Sequence, residues 1–247
     1  MSAALRLRSG LVIKIQELTP WYNYGSVGFK LWPASRVLIS YLEGKESDNL
    51  PSTPVVELGS GSGACGLAAS ALGAPLVLFT DRPVNHVPRE PVPFPCGAPG
   101  ELMLDLIRNN IRLNTKVLGS SVAVKELTWG ETDQIEACRQ VFAARSTSAG
   151  LVIGSDVTYH SSGHAALFST AASLLRPSES AEAPSSAPPC PPRFIFSHQH
   201  RGYNPEDTLN RLVDHAAEAG FHGPEKVMEH KETEDEIIAV YECTLKA

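Results

Sequence analysis

The chain has 247 residues, a formal net charge of −6, 43% hydrophobic residues and only 19% charged ones. One α/β domain can reach that length, and the apolar share supplies a sizeable core. The acidic balance argues against a nucleic-acid partner, which is met by Lys and Arg gathered on one face, and no apolar run approaches the roughly 20 residues of a membrane helix.

The N-terminal MSAALRLRSG lacks the long apolar core of a secretory signal. Residues 1–50 read as an extension that packs on the core, and residues 51–247 as the main domain. TPVVEL is a short apolar strand ending at Gly59, and ACGLAASALG is a small-residue helix closed by Gly73. PLVLFTD is a second strand. Residues 101–114 form an amphipathic helix: Leu102, Met103, Leu106, Ile107, Ile111 and Leu113 lie on adjoining rows, and Arg108, Arg112 and Lys116 share a solvated face. Then follow the strand SVAVKEL, the helix DQIEACRQVFAAR, the strand GLVIGSD, the helix GHAALFSTAASLL, the strand RFIFSH, the helix EDTLNRLVDHAAEAG and the final strand DEIIAVYECTL. Proline crowds two stretches, at about 83–100 and 177–192, which hold twelve of the 19 prolines. Proline lacks the backbone donor and fixes φ, so both stretches read as insertions, the second of them Ser/Ala-rich and expected to be disordered.

Strand and helix in alternation predict an α/β fold of the doubly wound, Rossmann-like kind, a mostly parallel sheet with helices on both faces. Ligands of such sheets bind past the carboxyl ends of the strands, near the point where strand order reverses. The five cysteines are scattered and form no C-x-x-C. Neither a disulfide framework nor a zinc site is expected, and a reducing compartment is. His198 and His200 are the one close histidine pair; with no evident Cys or carboxylate ligand beside them, no metal site is assigned.

The first strand end reads VVELGSGSGACG, in which Gly61, Gly63 and Gly66 fit G-x-G-x-x-G. Such glycines allow a tight turn with close backbone approach to a ligand. Asp81, at the end of the second strand, can accept hydrogen bonds from ribose hydroxyls, so an adenosine-containing ligand is expected. Glu57 lies two positions before the first glycine on a strand that should be buried. A buried carboxylate needs a partner: a cationic ligand such as S-adenosylmethionine suits it, a pyrophosphate opposes it, and a plain tether to a neighbouring loop would also satisfy it. Trp129, after the third strand, offers a flat face for adenine or simply fills the core. Asp156 and Tyr159, after the fourth strand, can hold an amine by hydrogen bonding and cation–π attraction; Asp156 could equally start the next helix.

VVELGSGSGACG, TDR, VKELTWGE, IGSDVTY and the N-terminal GFKLWPASRVLISYLE together resemble the seven-β-strand, S-adenosylmethionine-dependent methyltransferases, in particular the branch of non-histone protein-lysine methyltransferases. The resemblance implies a seven-stranded sheet and S-adenosyl-L-methionine as cofactor. It implies cofactor-binding roles for Trp32, Glu57, Gly59, Ser60, Gly61, Asp81, Trp129 and Ser155, and an acceptor-side role for Asp156 and Tyr159. It further implies a protein substrate such as a chaperone or a translation factor, and a monomeric enzyme of the cytoplasm, with the nucleus as a second compartment. The chain departs from the family pattern in three places: the insertion after Asp81, the flank of Thr158 and His160 around Tyr159, and SHQHRGYN after the fifth strand. Histidine, arginine or a small molecule remain alternative acceptors. A nicotinamide-dependent oxidoreductase and a non-catalytic partner-binding module are the competing functions.

Overall fold

The computed structural model describes residues 2–19, 24, 26–84, 92–95, 101–119, 121–176, 190–201, 205–231 and 236–246. Most of both proline-rich stretches therefore lies outside the described residues. The chain opens with β1 (Ser2–Arg6) and β2 (Val12–Gln16), a 3-10 turn at Val27–Phe29 and α1 (Pro33–Lys45). It continues through β3 (Val55–Leu58), α2 (Ala64–Ala71), β4 (Leu76–Asp81), α3 (Leu102–Leu113), β5 (Ser121–Glu126), α4 (Thr132–Ala143) and β6 (Leu151–Ser155). It closes with α5 (His164–Leu175), β7 (Arg193–Gln199), α6 (Pro205–Ala219), β8 (Phe221–Lys231) and β9 (Ile237–Leu245).

Strands β3 to β9 make one seven-stranded sheet in the order β5-β4-β3-β6-β7-β9-β8. The first five are parallel, and β9 runs antiparallel to both of its neighbours. The inner parallel strands β3, β4, β6 and β7 are buried on both faces, which is why they read as near-continuous apolar runs. Val55, Val77, Phe79, Leu151, Ile153 and Ile195 pack into one layer with α1, α2 and α3. Val56, Leu58, Leu78, Val152, Phe194 and Phe196 pack into the other with α4, α5 and α6. The chain winds outward from β3 to β5, then returns to β6, so strand order reverses between β3 and β6. That leaves a crevice above their carboxyl ends.

Two regions depart from the sequence expectation. FHGPEKVMEHK is strand β8, although its composition is polar and it contains a Gly-Pro. It lies at the sheet edge, and the register slips between His222 and Glu225, where Pro224 costs no ladder bond. Its exposed charges blunt that edge against pairing with another chain. The N-terminal extension also contains a hairpin, β1 with β2, whose Leu5, Ile13 and Ile15 are buried while Arg6 and Lys14 are exposed. On its outer side α3 takes the place of a third strand. Asn110 Oδ1 accepts the Gln16 N–H at 2.7 Å, and Asn114 Oδ1 accepts the Lys14 N–H at 2.8 Å. Asn110 Nδ2 also donates to the Ser62 carbonyl at 2.9 Å, so the hairpin, α3 and the glycine turn are joined through one buried amide. Leu113, expected on the apolar side of α3, is exposed, and Arg108 pairs with Glu101 and Asp105. Among the described residues, no helix is long and apolar enough to cross a membrane.

Candidate active site

Glu57 sets the electrostatics of the crevice. Its register places it in the α1–α3 layer, flanked across the sheet by Phe79 and Ile153, and it is fully buried. Burial therefore pushes its carboxyl up to about 8, and the backbone N–H of Gly66 offsets this only in part. Its Oε2 has no hydrogen-bond partner among the described residues. A Cβ on Gly66 would stand 2.7 Å from that oxygen and 2.4 Å from Phe79, so only glycine lets α2 start this close to the strand.

Asp81 ends β4 on the other side of the turn. Its Oδ2 accepts the Gly61 N–H at 2.7 Å and its Oδ1 the Arg82 N–H at 2.8 Å. Each oxygen keeps a lone pair, and burial raises the carboxyl to about 6 against those two hydrogen bonds. Gly61 has φ +53°, and a Cβ there would lie 2.7 Å from the Gly28 carbonyl oxygen. The Val27–Phe29 turn thus rests directly on the glycine loop. Ser60 is spent on the fold: its hydroxyl donates to the Glu57 carbonyl at 3.2 Å and accepts the Thr80 N–H at 3.0 Å, tying β3 to β4.

Of the remaining expected residues, Trp129, Ser155 and Trp32 lie near this turn, Asp156 follows β6, and Tyr159 is turned outward. Trp129 stands over Gly59 and Gly163, its ring edge 3.5 and 3.4 Å from where a side chain at either would begin. Ser155 ends β6; its hydroxyl shares a hydrogen bond with Ser35 of α1 at 3.0 Å and accepts one from Ser197 of β7 at 3.3 Å. Trp32 caps the start of α1, half-buried, with its indole N–H on the Val27 carbonyl at 2.9 Å. Asp156 is buried in the left-handed region, at φ +55°, and its N–H donates to the Ser197 carbonyl at 2.8 Å. Tyr159 is exposed and lies against His160, ring centroids 4.5 Å apart.

Three further residues belong to the site. Arg201 grips Asp156 with both guanidinium nitrogens and lies 5.7 Å from the Trp32 ring centroid, while the Lys30 ammonium lies 4.9 Å from the same centroid. Thr158 is clamped from beneath: its hydroxyl meets His198 Nδ1 at 2.8 Å, and its carbonyl accepts from His164 Nε2 at 2.9 Å. Burial drives His198 down to about 4 and lowers His164, so both act as neutral struts at pH 7. Two of the three departures from the family pattern thus meet: Thr158 beside Tyr159, and His198 of SHQHRGYN. The local signal for it was position alone, since both segments follow a parallel strand.

The residues present fit S-adenosylmethionine. A raised, half-satisfied carboxyl under the turn suits a cation, and Asp81 with spare lone pairs suits ribose hydroxyls. No group of His, Cys, Asp and Glu able to hold a metal occurs among the described residues. A proton inventory checks the fit. With its carboxyl at about 8, Glu57 is mostly protonated at pH 7. A bound sulfonium and ammonium favour the ionised form, so binding must expel a proton, and affinity must rise with pH up to about 8. Calorimetry in phosphate and in Tris at pH 7 should give different apparent enthalpies, equivalent to release of about one proton. The thioether product should release fewer. Equal enthalpies in both buffers would remove the sulfonium from the neighbourhood of Glu57.

Comparison with known proteins follows the same lines. The chain is 34% identical over 113 residues to the protein N-lysine methyltransferase METTL21A of Xenopus tropicalis, covering 45% of this chain and 43% of that protein. It is 32% identical over 149 residues to METTL21A of Mus musculus, covering 59% of this chain and 54% of that one. The chain thus spans about half the length of the curated relatives it matches. Among solved structures, a Streptococcus mutans protein described as a SAM-dependent methyltransferase superimposes with a TM-score of 0.56 at 11% identity, over 99% of this chain and 55% of that chain, which is a likeness of fold. The family described as lysine methyltransferase matches residues 11–88 and 100–182. Because those residues make up well over half of the chain and carry both the glycine turn and the Asp156 loop, the chain belongs to the lysine methyltransferase family.

Proposed function

We propose that this chain is an S-adenosylmethionine-dependent methyltransferase that N-methylates a lysine side chain of a protein. The observation that carries the reading is the Glu57 oxygen beneath the glycine turn, which has no partner among the described residues. A dinucleotide would bring its anionic pyrophosphate to that turn, where it would keep Glu57 protonated and oppose Asp81; a sulfonium brings the opposite charge and favours the ionised Glu57. When bound, S-adenosylmethionine supplies an electrophilic methyl group. The chain's own residues hold and align. Glu57, Asp81 and the Gly59–Gly61 backbone seat the cofactor, Trp32 and Trp129 wall it, and Ser155 borders it. Asp156 orients the acceptor nitrogen, and Tyr159 lines its approach. An acceptor lysine arrives as the ammonium, with a reference pKa of about 10.4; desolvation on entry lowers that value, so the amine loses its proton to water before it accepts the methyl group. The protein's contribution is chiefly alignment.

The similarity to protein N-lysine methyltransferases supports a protein substrate, and the family resemblance points to a chaperone or a translation factor. The described cysteines, Cys65, Cys138, Cys190 and Cys243, are free thiols, which suits the reducing cytoplasm, with the nucleus as a second compartment, and we propose that the enzyme acts there as a monomer. Labelled methyl transfer to lysate proteins tests the activity, with S-adenosylhomocysteine against NAD in equilibrium binding as the cofactor control. Asp156→Ala is expected to lower kcat/KM about 10²-fold, the scale set by a misplaced acceptor, with product affinity kept. Full turnover by that variant would sink the acceptor assignment.

A further inference from the structure

Asp156 already holds a cation. Arg201 Nη1 meets its Oδ1 at 3.0 Å, and Nη2 meets Oδ2, so the guanidinium covers both oxygens in the bidentate geometry that carboxylates favour. The two partners differ in exposure. The Asp156 side chain is 8% exposed and Arg201 39%. The aspartate stays in place without the arginine, because its backbone N–H is bound to Ser197 and Oδ1 also takes the Gln199 N–H at 3.4 Å. The arginine has somewhere to go. Its Nη2 lies 3.2 Å from Gln199 Oε1, its plane is near the Trp32 ring, and one side faces solvent.

We propose that Arg201 is the specificity-determining residue of the acceptor side: an internal guanidinium that occupies the acceptor's place on Asp156 and leaves only for another cation. The proposal rests on the methyl-transfer reading and deepens it. The physical reason is charge exchange. An incoming ammonium beside a seated guanidinium would put two positive groups around one carboxylate, so one must yield. If Arg201 swings out as the ammonium arrives, Asp156 remains paired throughout. A neutral acceptor such as imidazole offers no such exchange; it would leave a nearly buried carboxylate bare, and Arg201 therefore stays and shuts it out. The latch divides acceptor affinity by the fraction of molecules in which Asp156 is free.

The experiment uses the full chain loaded with S-adenosylhomocysteine and two probes at pH 8, n-butylammonium for a lysine side chain and neutral 4-methylimidazole for histidine. Binding is read from the NMR signal of the Trp32 indole, which needs no turnover. Arg201→Gln should bind n-butylammonium roughly fivefold more tightly than the parent, within the usual range of coupling between sites. Arg201→Lys should fall between them, and 4-methylimidazole should bind only to Arg201→Gln. In all three proteins S-adenosylhomocysteine affinity should agree within about twofold, reporting an intact cofactor site. Unchanged or weaker n-butylammonium binding by Arg201→Gln overturns the latch and makes Arg201 a strut for Asp156. If the parent transfers methyl to no lysine-centred peptide, the methyl-transfer reading fails, and the binding series still decides the latch.

Discussion

Arg193→Met is expected to cost about 3–5 kcal/mol of folding stability, the usual penalty for stripping one partner from a buried ion pair. Arg193 opens β7, an inner strand, at the end of the sheet opposite the crevice. Its guanidinium meets the Glu46 carboxylate at 3.0 and 2.7 Å, and Glu242 at 3.4 Å. The Glu46 side chain is 4% exposed, so in the variant its charge has neither counterion nor water. Glu242, with the Tyr41 hydroxyl on it at 3.3 Å, adds a second negative charge nearby. Glu46 caps the carboxyl end of α1, and the amino end of that helix carries Trp32 and Ser35 into the site. The pair therefore fixes one end of the helix whose other end walls the crevice. In a domain of this size the loss corresponds to a fall in melting temperature of about 10 °C. Urea titration of Arg193→Met, Glu46→Leu and the double variant makes the test sharper. Among the described residues Arg193 Nε has no partner, so the cluster is not fully satisfied to begin with. An apolar replacement of both groups should recover much of the loss. A single variant within about 0.5 kcal/mol of the parent, or a double variant no better than either single one, would show that the pair is not electrostatically isolated from water.

The part of this fold that the sequence displays is the part governed by local rules. Buried parallel strands must be apolar on both faces, and VVEL, LVLFT and LVIG are short apolar runs bounded by Gly, Asp or Ser. The exception inside the first of them, Glu57, is informative because the cost of burying it demands a compensating function. Strand β8 is invisible by the same rules. At an edge the burial constraint applies to few residues, so charge and a Gly-Pro are tolerated where a central strand would exclude them. The hairpin of β1 and β2 does show a period of two in VIKIQ, yet its outer partner is a pair of asparagine amides on α3, about a hundred residues later, and no periodicity announces that.

The site divides in the same way. Glycines and acids at strand ends are readable because topology alone brings strand ends together. Arg201 is not, since its partner lies 45 residues upstream and its role depends on how the segment after β7 folds back. In sequence it marks only a departure from a family pattern. In space that departure, the Thr158 flank and the acceptor acid share one set of contacts. On the proposed reading, acceptor choice would reside in these contacts, while the glycine turn and Asp81 serve the cofactor.

The glycine turn provides the second large effect. Gly61→Ala should lower affinity for S-adenosylhomocysteine by roughly two orders of magnitude while leaving the protein folded. At φ +53° any other residue is strained, and here the added methyl group meets backbone: the Gly28 carbonyl oxygen at 2.7 Å. A flexible side chain could rotate away from such a contact; a carbonyl in a 3-10 turn cannot, because Phe29 beside it is fully buried. Either the Val27–Phe29 turn lifts or the glycine loop sinks. If the loop moves, the Gly61 N–H leaves Asp81 Oδ2, the bond that fixes the acid proposed to take the ribose hydroxyls. If the turn lifts, Trp32 goes with it, since its indole N–H is bound to the Val27 carbonyl. Both routes damage the cofactor seat. Gly10→Ala separates this from strain alone: Gly10 has φ +89° in the β1–β2 connection, with nothing within 4 Å of an added Cβ. That variant should lose stability by a similar backbone strain, yet bind S-adenosylhomocysteine as the parent does. Calorimetric titration and thermal unfolding of both variants give the comparison. Parental affinity in Gly61→Ala would mean that the cofactor does not depend on the contact between the Val27–Phe29 turn and the glycine loop, and the crevice would have to be assigned another occupant.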